Sequence, residues 1–336
     1  MNRPLTIAGG GLAGLSLGIA LRSRGVPVRV IEVASYPRHR VCGEFISGIA
    51  DAELDALGIR DLFADAQRHT TTAWFDGERA MWSRALPVPA FGLSRYFLDA
   101  ALAERFAALG GELRCGERFE GEGEGIVWAA GRAKQASEWL GLKAHFDDLA
   151  LTADLEIHLK DGGYIGLTRV ENGRINVCGL FRRREAVGSG HALIVATRDA
   201  GFVRLAERLG KARPVEGSLK GVSHFSLGWQ RGRDDGRVTI GDSAAMIPPF
   251  TGNGMTMAFQ SALAAAEPLA RWSAGAIGWD AAAVEIRRAH RRLFARRLRW
   301  ARLLQSLLLH RLGRRLARML LSLGVVRFGT VYRKVR

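Results

Sequence analysis

Gly9, Gly11 and Gly14 stand as GxGxxG in the stretch LTIAGGGLAGLSLGIALRSRGVPVRVIEV, and Glu32 follows 21 positions after Gly11. The first glycine permits a tight turn, the second lets a pyrophosphate approach the backbone, and the third lets a helix pack closely on its strand. The free N–H groups and positive dipole end of that helix then face the phosphates. A carboxylate at Glu32 is placed to accept hydrogen bonds from ribose hydroxyls. The chemistry these residues point to is dinucleotide binding.

A second stretch, VTIGDSAAMIPPFTGNGMTMAFQSA at 238–262, carries Gly241 and Asp242, two adjacent prolines, and Gly252-Asn253-Gly254-Met255. Asp242 brings a carboxylate to the ribityl or ribose hydroxyls of a long, extended cofactor. The prolines fix the next turn, Gly252 and Gly254 allow a close backbone approach, and a helix from about Met255 aims its N–H groups at the electron-rich edge of a ring. Two such loops on one chain lead us to expect FAD as the cofactor.

The elements that must hold these loops follow from hydrophobic pattern. Strands are expected at 5–8, 28–31 and 237–240, with a helix continuing to about residue 24. The fold class expected is α/β: a Rossmann-like domain from residues 1–143 and 233–285, interleaved with a β-rich substrate domain at 144–232, to which 70–91 also contribute. Strand patterns such as YIGLTRV and RINVCGLF, joined by the turn ENG, support the second layer. The substrate pocket is expected between this sheet and the cofactor.

The chain has 336 residues, 48% of them apolar, enough to bury a substantial core. Its net charge of +16 is concentrated: residues 287–336 hold 15 arginines, one lysine and no acid, and the remaining 33 basic residues match 33 acidic ones. In that segment Phe294, Leu298, Ala301, Leu304, Leu308, Leu312, Leu316 and Met319 recur at steps of three and four, with arginines mostly on other faces, as in an amphipathic helix or pair of helices. No apolar run approaches the ~20 residues that span a bilayer. Residues 286–336 are therefore expected to be a basic helical tail, either packed on its own domain or lying through 287–323 on an anionic membrane, with Trp300 at the interface. No nucleic-acid motif accompanies the charge, so nucleic acid is not an expected partner.

The chain begins an apolar strand within a few residues of Met1, leaving no room for a signal peptide, so the expected location is the cytoplasm or the inner face of the membrane. Cys42, Cys115 and Cys178 lie far apart with no CxxC or histidine spacing, which argues for free thiols and against a metal site.

Taken in order, GGGLAG with Glu32, RHRVCGEFIS, GLSRYFLDAAL, GYIGLTRVENGRINVCGLF and GDSAAMIPPFTGNGMTMAFQSA resemble the FAD-dependent oxidoreductases that include geranylgeranyl reductases and aromatic-hydroxylase-type flavin monooxygenases. The resemblance spans about residues 4–270. It implies that Gly9, Gly11, Gly14 and Glu32 hold the ADP half of FAD and that Arg40, or its neighbour Arg38, reaches the phosphates. It implies further that Arg95 contacts the cofactor, that Asp242 binds the ribityl region, and that Gly252, Asn253, Gly254 and Met255 border the isoalloxazine. NAD(P)H is the electron donor it implies. Cys42 and Glu44 are the catalytic candidates, with His39 near them; His224 is a weaker one.

Two departures stand out. Ala130-Gly131 replaces the Asp-Gly pair of the monooxygenases, which weakens the case for their usual handling of NADPH, and Gly166 stands where geranylgeranyl reductases carry a tryptophan, so a long prenyl substrate is not implied. The activity expected is that of an FAD-dependent oxidoreductase on a small or lipid-like, unsaturated or aromatic substrate. It would act by hydride transfer from reduced flavin or by oxygen transfer from a C4a-peroxide. The alternatives are a double-bond reductase of the geranylgeranyl reductase kind at a membrane surface, and a non-catalytic flavoprotein that binds a membrane or a partner.

Overall fold

In the computed structural model, which describes residues 2–131, 138–161, 163–182, 191–223, 228–229, 237–323 and 325–335, the apolar runs near the N-terminus form the centre of a parallel sheet. Its five strands run Val238–Thr239, Ile126–Trp128, Leu5–Ala8, Val28–Glu32, Glu112–Cys115 across the sheet. Ile7 and Val30 are fully buried, as strands covered on both faces require. The chain passes from Leu5–Ala8 to a neighbour on one side and returns later to its other side. That strand therefore ends at the switch point where open α/β sheets bind ligands.

The turn out of the first strand explains its glycines. Gly9 sits at φ 114, outside the range of other residues, and a Cβ there would lie 2.4 Å from the Ala129 carbonyl oxygen. A Cβ on Gly14 would lie 2.0 Å from the Gly9 carbonyl oxygen, so the helix Leu12–Arg22 reaches its strand only with glycine at that position. This helix packs against Arg95–Ala108 and Gly254–Ser273, burying Leu15, Leu98, Phe106 and Phe259 in one core. Truncating the fully buried Phe106 to alanine would cost about 3–5 kcal/mol.

The second sheet runs Arg213–Pro214, Trp139–Asp147, Ile175–Arg182, Gly163–Arg169, Leu155–Lys160, Gln67–Asp76, Arg79–Gly92, Phe45–Ile46. Its pairs are antiparallel except Gln67–Asp76 with Leu155–Lys160. Lys220–Ser223 also pairs with Trp139–Asp147. The strand Trp139–Asp147 lies wholly in this sheet, so residues 139–143 go with the second layer and not, as the expected boundary at 143 had it, with the first.

Among the described residues the tail is the end of one long helix followed by two shorter ones. The helix Trp279–Leu308 buries Trp279, Ala282 and Ile286 against the first core, then Phe294, Leu298 and Ala301 against Ala245, Ile247 and Met257. The chain turns at His310 into the helix Arg311–Ser322, followed by Phe328–Lys334, and there Leu308 and Tyr332 join a core with Phe45, Leu86 and Ile157 of the second sheet. Phe294, Leu298, Ala301 and Leu308 thus face inward, whereas Leu312, Leu316 and Met319 face out. The break at residues 309–310 changes the helix axis, so the three-and-four spacing no longer follows one face across it. Among the described residues, no helix is long and apolar enough to cross a membrane.

Candidate active site

The ends of the parallel strands open into a crevice of about 460 Å³ that contains both glycine loops. Gly9, Gly11, Glu32, Arg38 and Arg40 line it from the N-terminal loop and the segment after the second strand; Gly241, Asp242, Gly252, Gly254 and Met255 line it from the later loop. Arg95, Cys42 and Glu44 form the wall between them. Residues more than 200 positions apart are brought to one site because Val238–Thr239 joins the same sheet as Leu5–Ala8.

Gly14 and Asn253 do not line the crevice. Gly14 serves the packing of helix on strand. The Asn253 side chain is fully buried and donates from Nδ2 to the Val335 carbonyl oxygen at 2.8 Å, so it ties this loop to the C-terminal segment. His224 lies outside the described residues.

The crevice fits FAD on four observations. A Cβ on Gly11 would have Arg95 Nη2 at 3.8 Å as its only neighbour within 4 Å, so the backbone there faces open space. Glu32 is buried at the end of its strand, where Oε2 accepts from the Gly10 N–H at 2.8 Å and meets Arg38 Nη2 at 2.9 Å and Arg40 Nη2 at 3.4 Å. Arg38 Nε is buried without a hydrogen-bond partner among the described residues, an orphaned donor of the kind an anion satisfies. Gly252 adopts the left-handed conformation at φ 64, and a Cβ there would lie 2.5 Å from the Phe45 ring, which fixes glycine at this border.

Arg95 is bidentate with Asp99 at 2.6 and 2.8 Å, and Arg40 Nε adds a contact to Asp99 at 3.3 Å. Burial pushes the Asp99 carboxyl up, partly offset by the Arg95 guanidinium. Arg95 opens its helix after Ser94, whose hydroxyl accepts from the Phe97 N–H at 3.0 Å as an N-cap.

Behind Cys42 lies a buried polar cluster. Glu44 is fully buried and held at φ 52, a conformation that costs a non-glycine residue of order 1–3 kcal/mol. Its Oε1 accepts from the Arg95 N–H at 3.0 Å and lies 3.2 Å from Lys143 Nζ, and its Oε2 lies 2.6 Å from His145 Nε2. Lys143 Nζ is also 3.0 Å from His39 Nδ1, whose ring stacks on Tyr96. Burial works to raise the Glu44 carboxyl; the Lys143 ammonium and the His145 hydrogen bond outweigh it and hold the group below its usual range. Burial and the Lys143 charge hold His39 down to about 4. Cys42 accepts at Sγ from the Glu44 N–H at 3.4 Å, and burial pushes its thiol up.

Lys143 and His145 were absent from the sequence expectation. Their signal was nonetheless local: Lys143 and His145, two apart in the strand WLGLKAHFD, must share one face of the sheet.

Next to the crevice is an apolar cavity of about 230 Å³, lined by Trp74, Trp82, Phe250 and Gly166 from the second sheet and the late loop, and by Leu308, Leu320, Phe328 and Val335 from the tail. The two spaces share Gly43, Phe45, Tyr164, Cys178, Pro249 and Gly252. The cysteines are all free thiols. Among the described residues, no cluster could hold a metal ion.

No family model matches the chain. It is 25% identical to a menaquinone reductase of Mycobacterium tuberculosis over 79% of this chain and 76% of that protein. Among solved structures it is similar to PqsL of Pseudomonas aeruginosa in complex with 2-aminobenzoylacetate, with TM-score 0.74 and 16% identity over 93% of this chain and 98% of that one. It is likewise similar to the flavin-dependent brominase Bmp2, with TM-score 0.77 and 16% identity over 99% and 93%. At these identities the structural likeness establishes the fold.

Proposed function

We propose that the chain is an FAD-dependent oxidoreductase that reduces a carbon–carbon double bond in an apolar, lipid-like substrate such as a prenylated quinone, a reading supported by its fold, its motif order and its likeness to a menaquinone reductase. The observation that carries this reading is the shared boundary: a polar crevice suited to FAD meets an almost wholly apolar cavity at Gly43, Phe45, Tyr164, Cys178, Pro249 and Gly252. The likeness to a menaquinone reductase supports the substrate class.

The residues divide the work. Gly9, Gly11, Glu32, Arg38 and Arg40 would hold the adenosine and pyrophosphate, Asp242 the ribityl chain, and Gly252, Gly254 and Met255 the ring edge. Bound there, FAD supplies hydride transfer, with NAD(P)H the proposed reductant. Trp74, Trp82, Phe250 and the tail residues exclude water and orient an apolar chain. Reducing a double bond consumes a hydride and a proton. Cys42, its thiol protonated at neutral pH, holds that proton at Sγ on the crevice wall, and the resulting thiolate would be stabilised by the nearby Arg95 guanidinium and the Glu44 N–H. Glu44, kept ionised by Lys143 and His145, orients this wall.

Anaerobic single turnover tests the reading. Reduced holoprotein mixed with a polyprenyl quinone is expected to give a product that, after its ring is reoxidised to the quinone, still carries two extra hydrogens in a saturated carbon–carbon bond. Cys42→Ala should retain FAD and slow that step about 100-fold. An unchanged rate in the variant would remove the thiol from its role, and a product that appears only in air with an added oxygen atom would replace reduction by oxygenation.

A further inference from the structure

We propose that the C-terminal helix Arg311–Ser322 is a membrane-docking lid: one face roofs the apolar cavity while its exposed apolar face seats in an anionic lipid surface. Leu312, Leu316, Met319 and Leu323 are 75, 43, 50 and 68% exposed. Their steps of four, three and four put them on a single stripe. Val325, 69% exposed, extends the patch beyond the helix.

The inward face of the same helix gives Ala317, Leu320 and Leu321 to the cavity lining. Arg314 fixes which face is which. It is buried, with Nε 2.6 Å from Asp76 and Nη1 2.9 Å from Asp161, so the helix is pinned to the second sheet and its leucine stripe is held outward. An exposed apolar row beside a cavity-facing one on the same short helix implies two apolar environments, and among the described residues the protein provides only one of them.

Charge identifies the other. Arg311 and Arg315 are exposed, Arg318 is partly so, and no acid occurs in 287–336. A second copy of the chain would bring the same arginines face to face and be repelled. Nucleic acid would pair the arginines and leave the leucines in water. A bilayer containing anionic lipid supplies opposite charge at its surface and hydrocarbon below it, the arrangement an in-plane amphipathic helix uses. Docked this way, the lid would bring the cavity within reach of a substrate dissolved in the membrane; that consequence rests on the proposed function, whereas docking itself does not.

Co-sedimentation of the full-length holoprotein with phosphatidylcholine vesicles, with and without phosphatidylglycerol, tests the lid. The intact protein is expected to bind the anionic vesicles, to release partly in high salt, and to bind neutral ones far less. Leu312→Ser/Leu316→Ser/Met319→Ser should weaken binding about tenfold or more while FAD content and circular dichroism stay unchanged. Arg315→Glu/Arg318→Glu should abolish the preference for anionic vesicles. Absence of vesicle binding, equal affinity for both compositions, or undiminished binding by the triple variant would overturn the proposal. So would a dimer in sedimentation velocity that the triple variant disperses without loss of vesicle binding. Vesicle binding by a protein that carries no FAD would keep the lid and end the flavin reading; FAD without vesicle binding would do the reverse.

Discussion

The two cavities that meet at Phe45 and Tyr164 are made by different means. The crevice combines glycine turns, arginines and carboxylates with apolar side chains, set at the ends of parallel strands. The apolar cavity is walled by side chains contributed from residue 43 to residue 335, and its shape depends on which rings and branches fill it. On the proposed reading, a cofactor would be held through glycine turns that leave few residue choices, while a substrate would be selected by side-chain volumes that can change one residue at a time.

Substitutions at the two sites should therefore fail differently, and the sharpest contrast comes from the crevice. Gly14→Val places atoms where the Gly9 carbonyl oxygen lies 2.0 Å from the new Cβ. We expect loss of bound flavin absorbance together with loss of cooperative thermal unfolding. A folded, yellow variant would show that the loop is less constrained than its packing implies.

Lys143→Met comes next. It leaves the buried Glu44 carboxylate without its charge partner and should cost about 3–5 kcal/mol in denaturant unfolding. Lys143→Met/Glu44→Gln should recover part of that loss, because no uncompensated charge remains. A double variant no more stable than the single one would mean that the cluster is held by His145 alone.

Away from both cavities, Glu156 supplies a pH-dependent control. Burial works to raise its carboxyl, but hydrogen bonds from His158 and Arg208 prevail and hold it at about 2, against an ordinary 4.5. A carboxyl whose pKa is depressed on folding stabilises the protein fully above its unfolded value. That contribution, about 3 kcal/mol, should fade as pH falls from 4.5 towards 2. Glu156→Gln should flatten the stability profile in that window, and a profile as steep as that of the parent would assign acid sensitivity elsewhere.

How much of this was readable beforehand follows the same division. The crevice could be read because GxGxxG, Glu32 and the Gly241–Met255 stretch are local patterns whose backbone demands leave few residue choices. The bond Asn253 makes was not legible: its position in the loop is local, but its side chain's partner, Val335, is 82 residues away. The tail was recognised as amphipathic, yet its division into an inward and an outward stripe depends on the turn at His310, and that turn is set by packing against the second sheet. The apolar cavity had no sequence signature, since Trp74, Gly166, Phe250 and Phe328 come together only through tertiary structure.

The smallest change in stability, and the most selective, is expected of Gly166→Trp. A Cβ there meets only ordinary contacts, with Ile157 Cδ1 at 3.4 Å, so an indole can project into the cavity at a cost within about 1 kcal/mol. Reoxidation of anaerobically reduced holoprotein by a polyprenyl quinone, followed at the flavin absorbance band, is the most direct test of two adjoining sites. The account predicts that the parent reoxidises and that Gly166→Trp, carrying the same FAD content, does so at least about tenfold more slowly. Equal rates in the two proteins would show that the substrate does not use this cavity, and the central claim would fail.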